Sequence, residues 1–475
     1  MTTKIIILCV AGVIVGGILL FFFTGQEKEE FQLVPQRAAE KTVKAAEVAG
    51  TEVGTGWSTK EDPKEAAKEA VGIALKGKIS KTPDFAIIFA SSGSDMAAIL
   101  SAARQFLGKD TKIFGGTSDS RAVMTDRGFV KVAKRGYYEQ ATMEGARGLA
   151  IMTVTSEDIV FGVGSANFLA YPSVQEASKE AVLSAIRSAG KSETELPKVV
   201  LLTPTIGVED EVIEGIEQVV GQNTLIIGGT TGGPAFAVIG ENGLYNEGVS
   251  LAVVYTDLPV GWTFEGGFDV TDRHSGIVTK TEGQAIVEID NRPALDVYDE
   301  WLGGKIKRLH EEIGKADVIR DLLTLHPLYR RYTSHSGQDY FLFSHPWPED
   351  DQMKDRSVLT STRIKPGERV YLSHGTWETL INRIGKLPTN AKIRGGIGVG
   401  TKPVFSIGFI CGGVMGVIPE TEREKLSFLI NYTNNNAPFI ANFTWGEQGH
   451  FPGIGNKHGN LLTSFVVIGP EDTKE

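Results

Sequence analysis

The sequence has 475 residues, of which 41% are hydrophobic, so it is long enough for about three domains with substantial cores. Its 48 basic and 58 acidic residues leave a formal net charge of -10, and no basic stripe longer than residues 131–135 stands out. Nucleic-acid binding depends on clustered positive charge, so this composition argues against a nucleic-acid partner.

The N-terminus begins with an uncharged, apolar stretch at residues 5–23. As a helix it would be roughly 28 Å long, enough to cross a bilayer core. A cleaved signal peptide is the alternative, but phenylalanines stand where a cleavage site needs small residues. The amino terminus and Lys4 on one side, and the net-acidic segment 26–30 on the other, favour a globular part outside the cytoplasm. We predict a single-pass transmembrane anchor at 1–25 and a juxtamembrane linker at 26–50.

Two stretches of the chain repeat one another, at residues 83–119 and 197–232. Each predicts an apolar strand, a turn, a helix closed by glycine, and a second strand that runs into Gly-Gly-Thr. The closing glycines and the Gly-Gly-Thr threonines are both 113 residues apart, which indicates a duplication. A fainter third copy is predicted over residues 402–444, with Thr444 aligned on Thr117 and Thr230.

The fold class predicted from these patterns is α/β. The strands of the repeats are continuous apolar runs, which is typical of a sheet covered on both faces, so residues 51–270 predict a duplicated α/β-layered region. From about Phe268 the pattern changes to strands, turns and short helices. Residues 271–475 therefore predict an α+β C-terminal domain, and the transmembrane helix completes the architecture.

Several motifs, in order, resemble the FIST family over roughly residues 50–470. In the first part they are GWSTKEDPKEAAKEA, PDFAIIFASS and KIFGGTSDSRAVMTDRGF; in the second they are EIDNRPALDVYDEWLG, HPLYRRY, RIKPGERVYL and FTWGEQGHFPGIGNKHGNLLTSF. The resemblance implies a FIST N-like domain at 51–270, a FIST C-like domain at 271–475, and a sensory role in binding small molecules. Amino acids and their relatives are the implied ligand class.

Glycine-rich segments end the second strand of each repeat, at residues 115–119 and 228–233. Sheets of this class commonly place ligand crevices at strand carboxyl ends, and successive N–H groups beside glycine can hold a carboxylate. The alternative is that the glycines only permit tight turns. Arg121 is a candidate carboxylate clamp. There is neither a Walker lysine nor a G-x-G-x-x-G after a strand, which argues against a nucleotide.

A third candidate region is the Gly-rich segment 446–460, which we interpret as a loop. Glu447 and His450 are candidate ligand contacts there, with loop packing as the alternative. His450 and His458 lie eight residues apart on this segment, which is weak evidence for a metal, so no metal site and no cofactor are predicted. The predicted ligand-binding residues are Gly115, Gly116, Thr117, Ser118, Asp119, Arg121, Gly228, Gly229, Thr230, Thr231, Glu447 and His450.

Cys411 follows a predicted buried strand and has two interpretations. As a nucleophile it would use His450 or His458 as base and Glu447 to orient the base. As a packing residue it would be buried, as free cysteines usually are. Cys9 lies in the apolar N-terminal stretch, so no intrachain disulfide framework is predicted for the soluble part.

Three functional hypotheses follow. The first and preferred one is a membrane-anchored sensor that binds a small molecule, such as an amino acid, and passes its signal to a separate partner. The sequence has no kinase, cyclase or helix-turn-helix signature, hence the expectation of a partner. The second is a hydrolase or transferase using Cys411, and the third is a scaffold or adhesion protein without a small ligand.

Overall fold

The computed structural model describes most of the chain after residue 49. The described ranges are 50–75, 82–119, 122–130, 148–233, 235–313, 316–347 and 354–470. All of them belong to one compact unit, Ala46–Glu475. The predicted anchor at 1–25, and all of the predicted linker except residue 50, lie outside these ranges. Within them, no helix has both the length and the apolar character needed to cross a membrane.

The described elements are numbered in chain order. The strands are β1 (Thr51–Ser58), β2 (Phe85–Ser91), β3 (Lys112–Ser118), β4 (Val123–Thr125), β5 (Gly128–Val130), β6 (Leu149–Ser156), β7 (Ile159–Asn167), β8 (Val199–Pro204), β9 (Leu225–Gly229), β10 (Val238–Gly240), β11 (Gly243–Tyr245), β12 (Gly248–Thr256), β13 (Val260–Gly266), β14 (Asp269–Glu282), β15 (Ala285–Ile289), β16 (Arg292–Pro293), β17 (Leu328–Thr333), β18 (Asp339–Ser344), β19 (Pro346–Trp347), β20 (Val358–Thr360), β21 (Arg369–His374), β22 (Phe405–Cys411), β23 (Phe439–Thr444), β24 (Glu447–Phe451), β25 (Gly455–Gly459) and β26 (Leu462–Ile468). The helices are α1 (Pro63–Leu75), α2 (Met96–Leu107), α3 (Val174–Ser188), α4 (Glu209–Val220), α5 (Ala294–Trp301), α6 (Lys305–Ile313), α7 (Ala316–Leu325), α8 (Trp377–Ile384), α9 (Leu387–Arg394), α10 (Gly412–Val417) and α11 (Arg423–Thr433), with 3-10 turns at Phe168–Ala170 and Glu420–Glu422.

Three six-stranded sheets share one plan. Their strand orders are β1-β6-β2-β3-β10-β11, β7-β12-β8-β9-β24-β25 and β13-β26-β22-β23-β4-β5. In each sheet the third and fourth strands pair in parallel (β2 with β3, β8 with β9, β22 with β23), and the other pairs are antiparallel. The structure therefore contains three copies of one unit, and the predicted third copy is confirmed.

Each unit gives its last hairpin to a different sheet. The hairpin β4–β5 follows β3 in the chain but completes the third sheet, β10–β11 follows β9 but completes the first, and β24–β25 follows β23 but completes the second. The exchange is cyclic, so each sheet contains strands from two units. The predicted domain division at 270/271 accordingly falls inside one compact unit, and the second and third sheets draw strands from both sides of it.

The inner faces of the three sheets enclose one apolar core. Phe85 stacks on Phe161 with ring centroids 4.2 Å apart, Phe161 lies 6.5 Å from Phe405, and Phe89 lies 6.0 Å from Phe409. Helices α1 and α2 cover the outer face of the first sheet, α3 and α4 that of the second, and α8, α9 and α11 that of the third. The strands are apolar throughout because both faces are covered. We call this part the three-sheet body.

Residues 269–374 form a separate lobe inserted between β13 and the rest of the third unit. An antiparallel sheet runs in the order β18-β17-β21-β14-β15-β20-β19, with β16 paired to β15. Helices α5 to α7 pack on it around Tyr298, whose hydroxyl donates to the carbonyl oxygen of His326 at 2.7 Å. This lobe has the predicted α+β character, and the chain as a whole is mixed α/β.

Candidate functional site

The parallel strand pairs of the three units end in equivalent positions. The last partners in register are Ser91 with Ser118, Thr205 with Thr231, and Cys411 with Thr444. Thr444 is therefore the counterpart of Ser118 and Thr231. The predicted alignment of Thr444 on Thr117 and Thr230 is wrong by one residue.

Hydrogen bonds between the units hold these strand ends together. The Asp119 N–H donates to the carbonyl oxygen of Phe443 at 2.8 Å, and the Phe443 N–H donates to Ser118 Oγ at 3.0 Å. The Thr230 N–H donates to the Gly446 carbonyl oxygen at 2.8 Å. The predicted Gly-Gly-Thr segments of the first two units thus meet the end of β23, and all three units contribute to one junction.

The glycines of these segments are packed against neighbouring strands. A Cβ built on Gly116 would lie 2.9 Å from the Ala237 carbonyl oxygen, and one built on Gly229 would lie 2.4 Å from Thr444 Cγ2. Gly115 and Gly228 are equally tight, because a Cβ there would overlap the carbonyl oxygens of the preceding parallel strand. These glycines let the strands approach closely, and they leave no room for a ligand at their own Cα atoms.

The threonine hydroxyls of the two segments are satisfied within the protein. Thr117 Oγ1 accepts from the Ala237 N–H at 3.1 Å, and Thr230 Oγ1 accepts from Gln448 Nε2 at 2.8 Å. Thr231 Oγ1 donates to the Pro204 carbonyl oxygen at 3.2 Å. These side chains support the junction as structural hydrogen-bond partners.

Just beyond the strand ends lies a polar group of residues that we call the junction site. It consists of Ser92, Asp119, Gly232, Gly233 and Trp445. Gly233 has φ +100°, and a Cβ there would be 2.6 Å from Ser92 Oγ and 3.4 Å from Asp119 Oδ1; one on Gly232 would be 2.1 Å from the Trp445 ring. The first unit supplies Ser92 and Asp119, the second the glycines, and the third the tryptophan.

Two polar atoms of the junction site lack a partner in the part of the chain that the structure describes. They are Ser92 Oγ, on a residue that is 4% exposed, and Trp445 Nε1. Buried polar atoms are nearly always hydrogen-bonded, and leaving one unpaired costs about 1–3 kcal/mol. The junction site therefore holds a hydroxyl and an indole N–H whose hydrogen-bonding capacity is unused among the described residues.

The sequence interpretation includes Asp119 but not Ser92 or Trp445. Ser92 follows β2, the first strand of a parallel pair. Ligand crevices commonly lie at the carboxyl ends of such strands, and this reasoning applies to β2 as well as to β3. Trp445 follows the third unit's strand by one residue. Arg121, the predicted clamp, lies outside the described residues.

Glu447 lies on β24, where its carboxyl group is fully buried. Thr444 Oγ1 donates to Oε1 at 2.7 Å, and the Leu462 N–H donates to Oε2 at 3.1 Å. Burial nevertheless raises the pKa of Glu447 well above its usual range, because it disfavours the charged carboxylate. It contacts Cys411 in the interior.

Cys411 is the third unit's equivalent of two structural hydroxyls. Ser91 Oγ accepts from the Gly148 N–H at 2.8 Å and Thr205 Oγ1 from the Gly248 N–H at 3.1 Å; the Leu461 N–H approaches the Cys411 sulfur in the same way. The thiol is 3% exposed, and burial, with Glu447 adding to it, raises its pKa well above the usual range. A nucleophilic thiolate is not favoured here.

The predicted loop around His450 is a β-hairpin, β24–β25. Side chains alternate along a strand, so His450 lies on the opposite face of β24 from Glu447, and the two are not brought together. His450 Nδ1 bonds Asn456 Oδ1 at 3.0 Å, and burial lowers the His450 pKa. His458 pairs with Gln448. No cluster of three or more metal-binding side chains occurs among the described residues.

The protein has a mixed α/β fold, and two family models match consecutive segments of its chain. The family model described as FIST N domain matches residues 84–292, and the one described as FIST C domain matches residues 294–450, together 366 of 475 residues. The chain belongs to the FIST family. FIST domains are sensory domains of signal transduction proteins.

Comparison with solved structures finds weak similarities. A cyanuric acid hydrolase from A. caulinodans has 9% identity and a TM-score of 0.31, over 88% of this chain and 99% of that one. A second cyanuric acid hydrolase structure has 8% identity and a TM-score of 0.26, over 61% and 83%. PurLQS from Thermotoga maritima has 11% identity and a TM-score of 0.21, over 88% and 72%. TM-scores this low carry no information about activity. Among curated proteins no match is found.

Proposed function

We propose that this chain is a sensory protein that binds a small molecule in the junction site. The observation that carries the proposal is the pair of unpaired polar atoms, Ser92 Oγ and Trp445 Nε1, where three interlocked units meet. The membership of the FIST family supports a sensory role. A molecule seated there would contact all three units at once.

The chemistry of the junction site fits a free amino acid. The Trp445 N–H and the Ser92 hydroxyl are donors suited to a carboxylate, and the Asp119 carboxylate is suited to an ammonium group. Asp119 is 7% exposed and has its own interactions within the fold. An α-amino acid carries both complementary charges within a few ångströms. Ser92 Oγ and Asp119 Oδ1 both lie beside Gly233, so they are close enough together to face the two charges of one such molecule.

Signal output is the second part of the proposal. A ligand that binds only the native state stabilises it by about 2.7 kcal/mol when present at roughly 100 times its dissociation constant. Because hairpins are exchanged among the sheets, ligand binding would stabilise all three units against unfolding. We propose that a separate partner detects this change, and that a helix at residues 1–25 anchors the protein with its globular part outside the cytoplasm.

The test is a binding experiment on the full-length chain with three variants. Free amino acids, small organic acids and neutral sugars are compared by thermal unfolding and titration calorimetry. Ser92→Ala and Trp445→Phe each remove one unpaired atom, so each should weaken amino-acid binding by about 1–2 kcal/mol, or roughly 5- to 30-fold. Ser92→Ala should not destabilise the ligand-free protein, since no internal hydrogen bond is lost. Trp445→Phe also removes ring area packed near Gly232 and Trp347, so its binding is measured at a temperature at which the variant is fully folded.

Thr155→Val is the matched control. Thr155 Oγ1 is another buried hydroxyl without a partner among the described residues, but it lies on β6 opposite Glu52, at the far end of the first sheet from Ser92. It should leave binding unchanged. Equal binding by all four proteins would refute the site, and the absence of binding in every compound class would refute the sensor.

A further inference from the structure

A cleft of about 440 Å³ lies between the three-sheet body and the lobe, and shares no lining residue with the junction site. On the body side it is lined by Phe264 of β13 and Phe451 of β24. On the lobe side it is lined by Tyr340, Phe341 and Phe343, and Phe268 lines it where the chain passes from β13 to the lobe. This volume falls in the usual range of small-molecule sites, which are typically lined by apolar and aromatic side chains. We call it the aromatic cleft.

The rings of the aromatic cleft are held in place by one another. Phe264 and Phe451 have centroids 5.0 Å apart, Tyr340 stacks on Phe451 at 5.0 Å, and Phe268 lies 5.1 Å from Phe343. Four of the six rings are at most 4% exposed, whereas Tyr340 and Phe341 are half-buried. The walls are therefore preformed, and an aromatic guest would contact chiefly the half-buried rings of Tyr340 and Phe341, which the buried rings hold in fixed orientations.

The charged groups at the edge of the aromatic cleft are already paired. Glu265 accepts from Arg394 Nη2 at 3.2 Å and from Asn390 Nδ2 at 3.1 Å. Asp339 accepts from Thr333 Oγ1 at 2.6 Å and lies 3.8 Å from Arg331 Nε. A charged guest would have to displace one of these partners, whereas a neutral guest would not.

We propose that the aromatic cleft is a second binding site, for a flat uncharged aromatic molecule. Its walls come from both the body and the lobe, so an occupant bridges the two. Binding would then hold β18 of the lobe against β13 of the body. This gives the protein a second input, chemically distinct from an amino acid at the junction site.

The probe is 5-fluoroindole, titrated into the full-length chain and followed by ¹⁹F NMR. Val270 lies at the rim of the aromatic cleft and is 36% exposed, so Val270→Trp fills the opening without disturbing the core. Val160 is 38% exposed on β7, away from the aromatic cleft, and Val160→Trp is the matched control. Tyr340→Leu keeps an apolar wall but removes the stacking face.

The expected result is saturable binding of 5-fluoroindole that weakens by at least about tenfold in Val270→Trp and by several-fold in Tyr340→Leu. Val160→Trp should bind as the unmodified chain does. Cyclohexanol, neutral but not aromatic, and indole-3-acetate, aromatic but charged, should both compete poorly. The proposal is overturned if 5-fluoroindole does not saturate, if Val270→Trp binds it equally well, or if cyclohexanol or indole-3-acetate binds as tightly. Ser92→Ala should bind 5-fluoroindole as the unmodified chain does. A failure of the aromatic cleft can therefore be distinguished from a failure of the junction site.

Discussion

His345 should make the protein sensitive to acid. Its ring is 3% exposed, Nε2 lies 3.0 Å from Thr324 Oγ1, and the ring packs 4.7 Å from that of Trp347. Burial, with Arg320 adding to it, lowers the His345 pKa to about 3. In the unfolded chain the pKa is about 6.5. Between these two pH values the His345 ring is protonated in the unfolded state but neutral in the native state. The free energy of unfolding therefore decreases as the pH falls from about 6.5 towards 3.

The size of this effect follows from the two pKa values. Between about pH 7.5 and pH 4.5 the His345 contribution alone should lower the free energy of unfolding by about 3 kcal/mol. In His345→Gln the amide can still bond Thr324 but does not ionise, so the acid-dependent loss should shrink by that amount. His335→Gln, at an exposed turn, is the control. Urea unfolding at the two pH values measures all three proteins, and an equal loss in all of them would refute the reasoning.

Three further predictions concern the junction and the third unit. Glu447→Gln should gain stability relative to the unmodified chain as the pH rises from about 4.5. The raised pKa of Glu447 means that its protonated side chain stabilises the native state in acid and that this stabilisation is lost at higher pH. Urea unfolding at several pH values would contradict this if the two proteins differed in free energy of unfolding by the same amount throughout. Gly229→Ala should destabilise by about 1–3 kcal/mol through overlap with Thr444, whereas Gly72→Ala, in open space on α1, should stabilise by about 0.5–1 kcal/mol; the opposite order would contradict the packing. Cys411 should resist iodoacetamide until the protein unfolds, and peptide-level labelling of the native chain would show the thiol to be accessible.

Local features could be predicted from the sequence because their causes are local. Asp62 accepts from the Glu65 N–H at 2.8 Å and Ser173 from the Glu176 N–H at 3.2 Å, because Asp and Ser are favoured N-cap residues of helices. The apolar runs of the repeats predicted buried strands between covering helices, and the spacing of 113 residues predicted the duplication.

The register of the third unit depends on burial. Ile440 faces the same core as Phe114 and Ile227, so Asn442 takes the position of Gly116 and Gly229. Matching threonine to threonine shifts every side chain to the wrong face of the strand. A one-residue error of this kind is invisible in a single sequence.

The exchange of hairpins and the junction site depend on contacts between distant residues. The bond from the Phe443 N–H to Ser118 Oγ joins residues 325 positions apart. Hairpins of three-residue strands, such as β4–β5, carry no local signal for the sheet they join. Ser92 and Trp445 come together only through that exchange, so their proximity could not be predicted from the sequence alone.

An experimental structure of the full-length chain with the tightest-binding amino acid would show directly where the ligand lies. We expect it at the junction site, with its carboxylate about 2.7–3.2 Å from Ser92 Oγ and Trp445 Nε1. A ligand bound elsewhere, or ordered water alone satisfying both atoms at a saturating amino-acid concentration, would contradict this expectation.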